Sequence, residues 1–434
     1  MGWVEIGGLL LGGVVALMAL GMPVAFAFLT IDLIGAYFIL GGGIGLRQLV
    51  GNALAVVTSF ALVPVPLFLL MGTLFFHTGL AFRVFDALDK CLGRLPGRLS
   101  LLTVGGGTLF ATLSGSSMAN TAMLGSLMIP EMTRRGYKPS MVIGPILGAG
   151  GLAMLIPPSA LAVLLGSLAR IDIGALLVAG LLPGLILASL YAAMIVIRAR
   201  LDPEAAPAYA VASESMGTRL RLLGTEVLPM GLVVFLVVGT ILFGLATPSE
   251  AAAFGVLGVV VLAALYRRLT WRALARSLRG AVRVTAMAFL IIMMSSTFAQ
   301  LLAFSGASGG MIAWAAGADA APTVILLIMF ATLLVLGMFM DQLSMMLLTV
   351  PVFIPLAQAL DFDLVWVGVI MLLGLEISLT TPPFGLLLFV MKGVAPPGIA
   401  MSDIYRAALP YIGCALAVVA LVMAVPDIAL VLVR

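Results

Sequence analysis

Charge is what this 434-residue chain has least of: Asp, Glu, Lys and Arg together make up 9% of it, against about 25% in soluble globular domains. With 63% of the residues hydrophobic, a solvated globular fold is excluded, because too little polar surface exists to cover it. Histidine occurs once, at His77, and cysteine twice, at Cys91 and Cys414. That excludes a disulfide framework and a zinc site built on Cys/His spacing. No Walker A pattern and no catalytic triad arrangement occurs. Work done through this chain must therefore draw on a gradient rather than on hydrolysis, and neither an enzyme activity, a cofactor nor a nucleic-acid partner is expected. No Lys or Arg precedes Arg47, so a cleavable signal with a basic start is not expected either.

What the chain has is long apolar runs. Residues 6–31, 59–81, 173–197, 227–249, 285–318 and 407–426 are nearly uncharged and long enough to cross about 30 Å of hydrocarbon. They lack the alternation of barrel strands, so the backbone must be satisfied within helices. The expected class is an all-α integral membrane protein in the lipid bilayer. Basic residues give its orientation. If the polar loop 198–226 faces the cytoplasm, so do the basic residues of 83–98, 134–138 and 267–283, with Lys392 and Arg406. Only Arg47, Arg170 and Arg434 of the 22 Lys and Arg then lie outside. This bias predicts that both termini face outward, which for a chain in a bacterial inner membrane is the periplasmic side. Segments 99–133 and 319–363 would each begin and end on one side, which predicts two re-entrant helical hairpins besides about ten spans.

Proline spacing gives the internal organisation. Pro23 and Pro248 lie 225 positions apart (248 − 23), as do Pro130 and Pro355, Pro157 and Pro382, and Pro158 and Pro383. Prolines that merely punctuate helices would share no such offset. The two halves, with opposite inferred orientation, form an inverted-topology repeat, a common build of secondary transporters. Residues 1–200 are the first repeat, 201–225 a cytoplasmic connection and 226–434 the second repeat. Interfacial arms are expected at about 45–57 and 267–283.

Polar residues mark the candidate site. The first hairpin carries Ser114, Gly115, Ser116, Ser117, Asn120 and Thr121, a cluster that is costly in hydrocarbon unless used. Hydroxyls and freed carbonyls are hard oxygen ligands for Na⁺, and a helix N-terminus suits an anion. Small-residue packing and hydroxyls returned to their own backbone are the competing reading. The second hairpin offers Asp341, Gln342 and Ser344; Asp341 could neutralise a cation or simply cap the next helix. Pro157-Pro158-Ser159 and Thr380-Thr381-Pro382-Pro383 with Gly385 interrupt apolar helices. Tandem prolines strand carbonyls at membrane depth, which is tolerated only against protein or a water-filled cavity. Ser116, Asp341 and Thr381 are the Na⁺ candidates. Asp32, Glu250, Glu376 and His77 give weaker signals, with helix capping expected for Glu250 and a structural role for His77.

At these residues the chain resembles the DctM-like large membrane subunit of tripartite ATP-independent periplasmic (TRAP) transporters. The resemblance lies in Gly21-Met22-Pro23-Val24-Ala25-Phe26, Ser114-Gly115-Ser116-Ser117, Ile129-Pro130, Leu155-Ile156-Pro157-Pro158-Ser159, Ala246-Thr247-Pro248-Ser249-Glu250 and Thr381-Pro382-Pro383-Phe384-Gly385. It implies a Na⁺-driven elevator mechanism in the bacterial inner membrane and small organic anions as substrates. It also implies a small four-helix membrane partner and a periplasmic binding protein that delivers substrate. Na⁺ and substrate would bind around the hairpin tips and proline breaks. Asn120, Ala153 and Leu387 depart from the family pattern, which often has Asp, Gly and Asn there. A stand-alone anion/Na⁺ symporter of similar build, needing no binding protein, is the alternative.

Overall fold

The computed structural model describes residues 2–91, 95–114, 117–207, 215–317 and 321–434, without the side chains of 111–114, 119 and 315–317. Every regular element among them is helical. The first half runs α1 (Trp3–Ala19), α2 (Val24–Ile39), α3 (Gly43–Val57), α4 (Pro64–His77), α5 (Leu80–Cys91), α6 (Arg98–Ser114), α7 (Ser117–Arg134), α8 (Pro139–Gly151), α9 (Ala160–Ala169) and α10 (Ile173–Leu201). After α11 (Met216–Leu222) come α12 (Leu228–Leu242), α13 (Pro248–Leu265), α14 (Trp271–Phe304), α15 (Ala307–Gly317), α16 (Pro322–Gly337), α17 (Gln342–Ala359), α18 (Leu364–Thr380), α19 (Leu386–Val394), α20 (Met401–Ala424) and α21 (Asp427–Leu430). Helix ends recur at the proline spacing. α17 begins and ends 225 positions after α7 (342 − 117 and 359 − 134), α18 starts 225 after α8, and α19 ends 225 after α9.

Seven helices are long and apolar enough to cross a membrane by length and composition. Their outward surface suits lipid: Leu228, Leu232 and Phe235 on α12 are 67%, 61% and 64% exposed. A surface so apolar would be an aggregation hazard in water. Three expected spans are differently cut. Run 6–31 is two helices, because Gly21 takes a φ of +87° and Pro23 starts the next one. Run 227–249 ends at Leu242, with Gly244 at φ +64°. Run 285–318 breaks at Gly306, φ +75°. Left-handed backbone costs glycine nothing and cannot continue a right-handed helix. The expected start of the second repeat at 226 also lies inside a helix, since a π-turn at Leu223–Val227 joins α11 to α12.

The expected arms pack across the halves. On α3, Gln48 Nε2 donates to Gln300 Oε1 of α14 at 2.8 Å, and Asn52 exchanges hydrogen bonds with Gln300 at 2.9 and 3.0 Å. The second arm is not a separate helix but the first turns of α14. There the Ser277 carbonyl accepts from Thr73 Oγ1 of α4 at 3.1 Å. His77 Nδ1 lies 2.9 Å from the Thr73 carbonyl, a role that ties its helix together. Phe28 of α2 and Phe298 of α14 meet edge to face at 5.0 Å, adding apolar grip between the halves.

At the centre, α8 and α18 are buried almost all round, from Met141 to Gly151 and from Trp366 to Leu379. A helix apolar on every side belongs inside a larger protein rather than at its surface. The α6–α7 and α16–α17 pairs, which occupy the expected hairpin segments, pack beside this centre.

Candidate functional site

The first hairpin turns between α6 and α7. Ser114 closes α6, but its side chain and all of Gly115 and Ser116 lie outside the described residues. Ser117, Asn120 and Thr121 are buried, at 1%, 0% and 0% exposure. Asn120 Nδ2 donates to the Ala149 carbonyl at 3.0 Å. Among the described residues, its Oδ1 and the Thr121 Oγ1 are buried without a hydrogen-bond partner. Such orphans are rare in folded proteins and ask for an explanation.

The second hairpin turns through Asp341, which caps α17. Its Oδ2 accepts from Leu343 N at 3.1 Å and Ser344 N at 3.4 Å, and the Ser344 hydroxyl donates to Oδ1. Capping is therefore the geometry present, and it occupies donors a cation would not use. Gln342 is 5% exposed, and its Nε2 approaches Met154 Sδ at 3.4 Å. Glu250 likewise caps, in a box with Thr247.

Both proline breaks carry a cis Pro-Pro bond, at 157–158 and 382–383. At the first, α8 tightens into a 3₁₀ turn over Leu152–Met154, and Ser159 caps α9 through Ala162 N at 3.2 Å. Pro157 and Pro158 are buried, whereas Pro383 and Phe384 at the second break are exposed. The Pro383 carbonyl is taken by Tyr405 Oη at 2.7 Å. Thr380 and Thr381 return their hydroxyls to the Ile377 carbonyl at 2.9 and 2.7 Å, the local bonding that competes with ligand binding. Gly385 is required by space: an added Cβ would lie 2.3 Å from the Leu379 carbonyl oxygen.

The two halves meet at a residue the sequence ranks low. Glu376, 5% exposed in α18, accepts from Ser117 Oγ of the first hairpin at 3.3 Å. It also lies against Gly151 of α8, where an added Cβ would sit 2.0 Å from Oε1. Each hairpin tip thus reaches the other half's broken helix. Ser117 touches α18, and Gln342, 225 positions later, touches the turn after α8. Sequence reading ranked Glu376 low because a lone carboxylate in an apolar run carries no motif. The one signal was its place four residues before Thr380. Among the described residues no group of three His, Cys, Asp or Glu could hold a metal ion. What the site offers is oxygen.

Comparison with known proteins places this geometry. The family model described as "Tripartite ATP-independent periplasmic transporter, DctM component" matches residues 11–428. The C4-dicarboxylate TRAP transporter large permease protein DctM of Pseudomonas aeruginosa is 33% identical over 375 residues, 86% of each chain. The sialic acid TRAP transporter large permease protein SiaM of Vibrio cholerae is 30% identical, over 97% of this chain and 96% of that one. Among solved structures, the YdaH transporter of Alcanivorax borkumensis shares the fold, with a TM-score of 0.66 at 15% identity over 89% of each chain. A match over nearly the whole length, on an all-helical fold with its polar residues gathered at two helix breaks, settles the family: this chain is a multi-pass membrane transporter of the DctM family, the large permease component of tripartite ATP-independent periplasmic transporters.

Proposed function

We propose that this chain is the translocating subunit of a Na⁺-coupled importer of small organic anions, with carboxylates as the substrate class. It acts with a small four-helix membrane subunit and takes substrate from a periplasmic binding protein. It sits in the bacterial inner membrane with both termini periplasmic. The observation that carries this reading is the crossing of the hairpin tips, Ser117 onto α18 and Gln342 onto the turn after α8. It brings polar side chains of both halves together at interrupted helices, where transporters bind ion and substrate. The relatives named for C4-dicarboxylate and sialic acid support a carboxylate. Oxygen-only ligands suit a hard cation, with Ser116, Asp341 and Thr381 as the Na⁺ candidates of the hairpin tips and second break. The burial of the first break beside the exposure of the second suits a carrier held in one of two alternating states, moved as an elevator.

The test is uptake into proteoliposomes holding this chain and its small membrane partner, with the binding protein outside. Accumulation should need an inward Na⁺ gradient and the binding protein together. Equal uptake on a proton gradient without Na⁺ would remove the coupling assignment. Na⁺-driven uptake without the binding protein would favour the stand-alone symporter.

A further inference from the structure

A cluster of charge lies away from the helix breaks, where α8 begins, α10 ends and α20 begins. A cavity of about 500 Å³ opens there, with Lys138, Ser140, Arg198, Asp202, Asp403 and Arg406 in its wall. The three elements are tied together: Lys138 N donates to the Ala205 carbonyl just past α10 at 3.0 Å, and α20 packs on both α8 and α10. Lys138, Arg198 and Arg406 against Asp202 and Asp403 leave the cavity one net positive charge. The distribution of basic residues assigns this face to the cytoplasm.

The pairing of these charges is uneven. Asp202 lies four positions after Arg198 and Asp403 three before Arg406, spacings at which opposite charges on a helix ordinarily meet. Both carboxylates are engaged elsewhere. Asp202 takes Lys138 Nζ at 2.8 Å, and Asp403 accepts from Ala400 N at 3.1 Å to cap α20. No ion pair among the described residues includes Arg198 or Arg406. Other basic residues of the same face do pair, Arg83 with Glu226, Arg98 with Asp89 and Arg134 with Glu131. Arg198 is half-buried, so it gives up part of its hydration with no carboxylate in return. Ser140 adds a hydroxyl at the second position of α8, where the first N–H groups of a helix have no partner within it. Two guanidinium forks and a helix start around one opening suit the oxygens of a phosphate.

Apolar surface leads away from the cavity along both flanking helices. Leu201 lines the cavity and is 81% exposed, and Ile197 and Leu190 follow it, exposed, on the same face of α10. Beyond Arg406, Leu409 and Leu416 are exposed on one face of α20. Met194 Sδ and Cys414 Sγ, 3.9 Å apart, mark the seam between the two helices. A charged pocket that opens onto apolar stripes matches a headgroup with its chains, whereas a soluble anion would leave the stripes without an occupant. We propose that this cavity binds the phosphate of an anionic phospholipid, held by Arg198 and Arg406, with the acyl chains along α10 and α20. Basic pockets between helices at a membrane face take such headgroups, and one net positive charge balances one phosphodiester. The site lies apart from the hairpin tips and goes beyond the reading of ion and substrate. Because α8 runs from this cavity to the turn before the first proline break, the lipid ties the headgroup layer to the buried centre of the protein.

The test uses the full-length chain, alone and with its small partner, in phosphatidylcholine nanodiscs to which phosphatidylglycerol is added at constant ionic strength. Thermal stability should rise and saturate with phosphatidylglycerol content, because a ligand that binds only the folded state stabilises it. Native mass spectrometry should find phosphatidylglycerol retained on the protein. The double variant Arg198→Gln/Arg406→Gln should lose the retained lipid. It should also need roughly tenfold more phosphatidylglycerol for half-maximal stabilisation, the worth of one charged hydrogen bond. Either single variant decides the matter if the double does not fold. Arg276→Gln/Arg279→Gln, which removes the same charge from exposed positions on α14, should respond as the unmodified protein does. Equal responses of the two double variants would overturn the site in favour of general surface charge. Equal stabilisation by inorganic phosphate in phosphatidylcholine alone would make the ligand a free anion and overturn the lipid assignment. A lipid response that disappears once the small partner is present would overturn it too, giving this face to that partner.

Discussion

Replacing Gly385 by Ala should damage the second proline break through space alone. Gly385 has a φ of −52°, which any residue can adopt, so no conformational argument requires glycine. Its surroundings do. An added Cβ would lie 2.3 Å from the Leu379 oxygen, 2.7 Å from the Leu379 carbonyl carbon and 2.9 Å from the Thr381 oxygen. All three are backbone atoms of the turn itself, so no side chain can swing aside. Overpacking of this kind costs about 1–3 kcal/mol. Gly393, in the short helix α19 that Gly385 precedes, has nothing within 4 Å of an added Cβ. There the helix propensity of Ala should stabilise by roughly 0.5–1 kcal/mol. The two substitutions are chemically identical and eight positions apart, yet act in opposite directions and should differ by about 1.5–4 kcal/mol. Thermal unfolding in detergent reads the difference, and uptake reads its consequence, with Gly385→Ala losing transport first. Equal stability and uptake in the two variants would refute the claim that backbone crowding holds the break in shape.

Asp341→Asn should give folded protein, since Asn caps a helix about as well as Asp, but with weakened Na⁺ dependence and little uptake. An unchanged uptake curve against Na⁺ concentration would leave Asp341 as a cap only. In a background lacking Cys91 and Cys414, cysteines at positions 321 and 362 should both label from the periplasmic side. Labelling of one alone would mean that α16–α17 makes a net single crossing, which rules out the re-entrant hairpin. Asn52→Ala removes the partner of Gln300 in the contact between α3 and α14 and should cost about 1 kcal/mol. A matching loss on Gln300→Ala, without addition in the double variant, would confirm that the two act as a unit.

The class of the protein was legible in composition because lipid is a demanding solvent. A chain with 9% charge has one place to be stable, and a helix satisfies its own backbone there. The proline offset was legible for a similar reason. Proline acts on its own helix, so its mark is local, and helix ends such as those of α7 and α17 recur at the same spacing. Local chemistry also fixed the cap at Glu250 and made capping a fair rival for Asp341. Long apolar runs misled where a single glycine with positive φ, at Gly21, Gly244 or Gly306, ends a helix without changing the hydropathy. What no local pattern could carry is the meeting of side chains distant in sequence. Ser117 with Glu376, Gln342 with Met154 and Asn52 with Gln300 exist because the two halves interlock. Glu376 looked like an isolated carboxylate in an apolar helix until that packing placed it against Gly151 and the first hairpin. Sequence determined the solvent, the helices and their breaks; tertiary structure decided which oxygens share a site, because burial and proximity belong to the assembled chain and not to its segments.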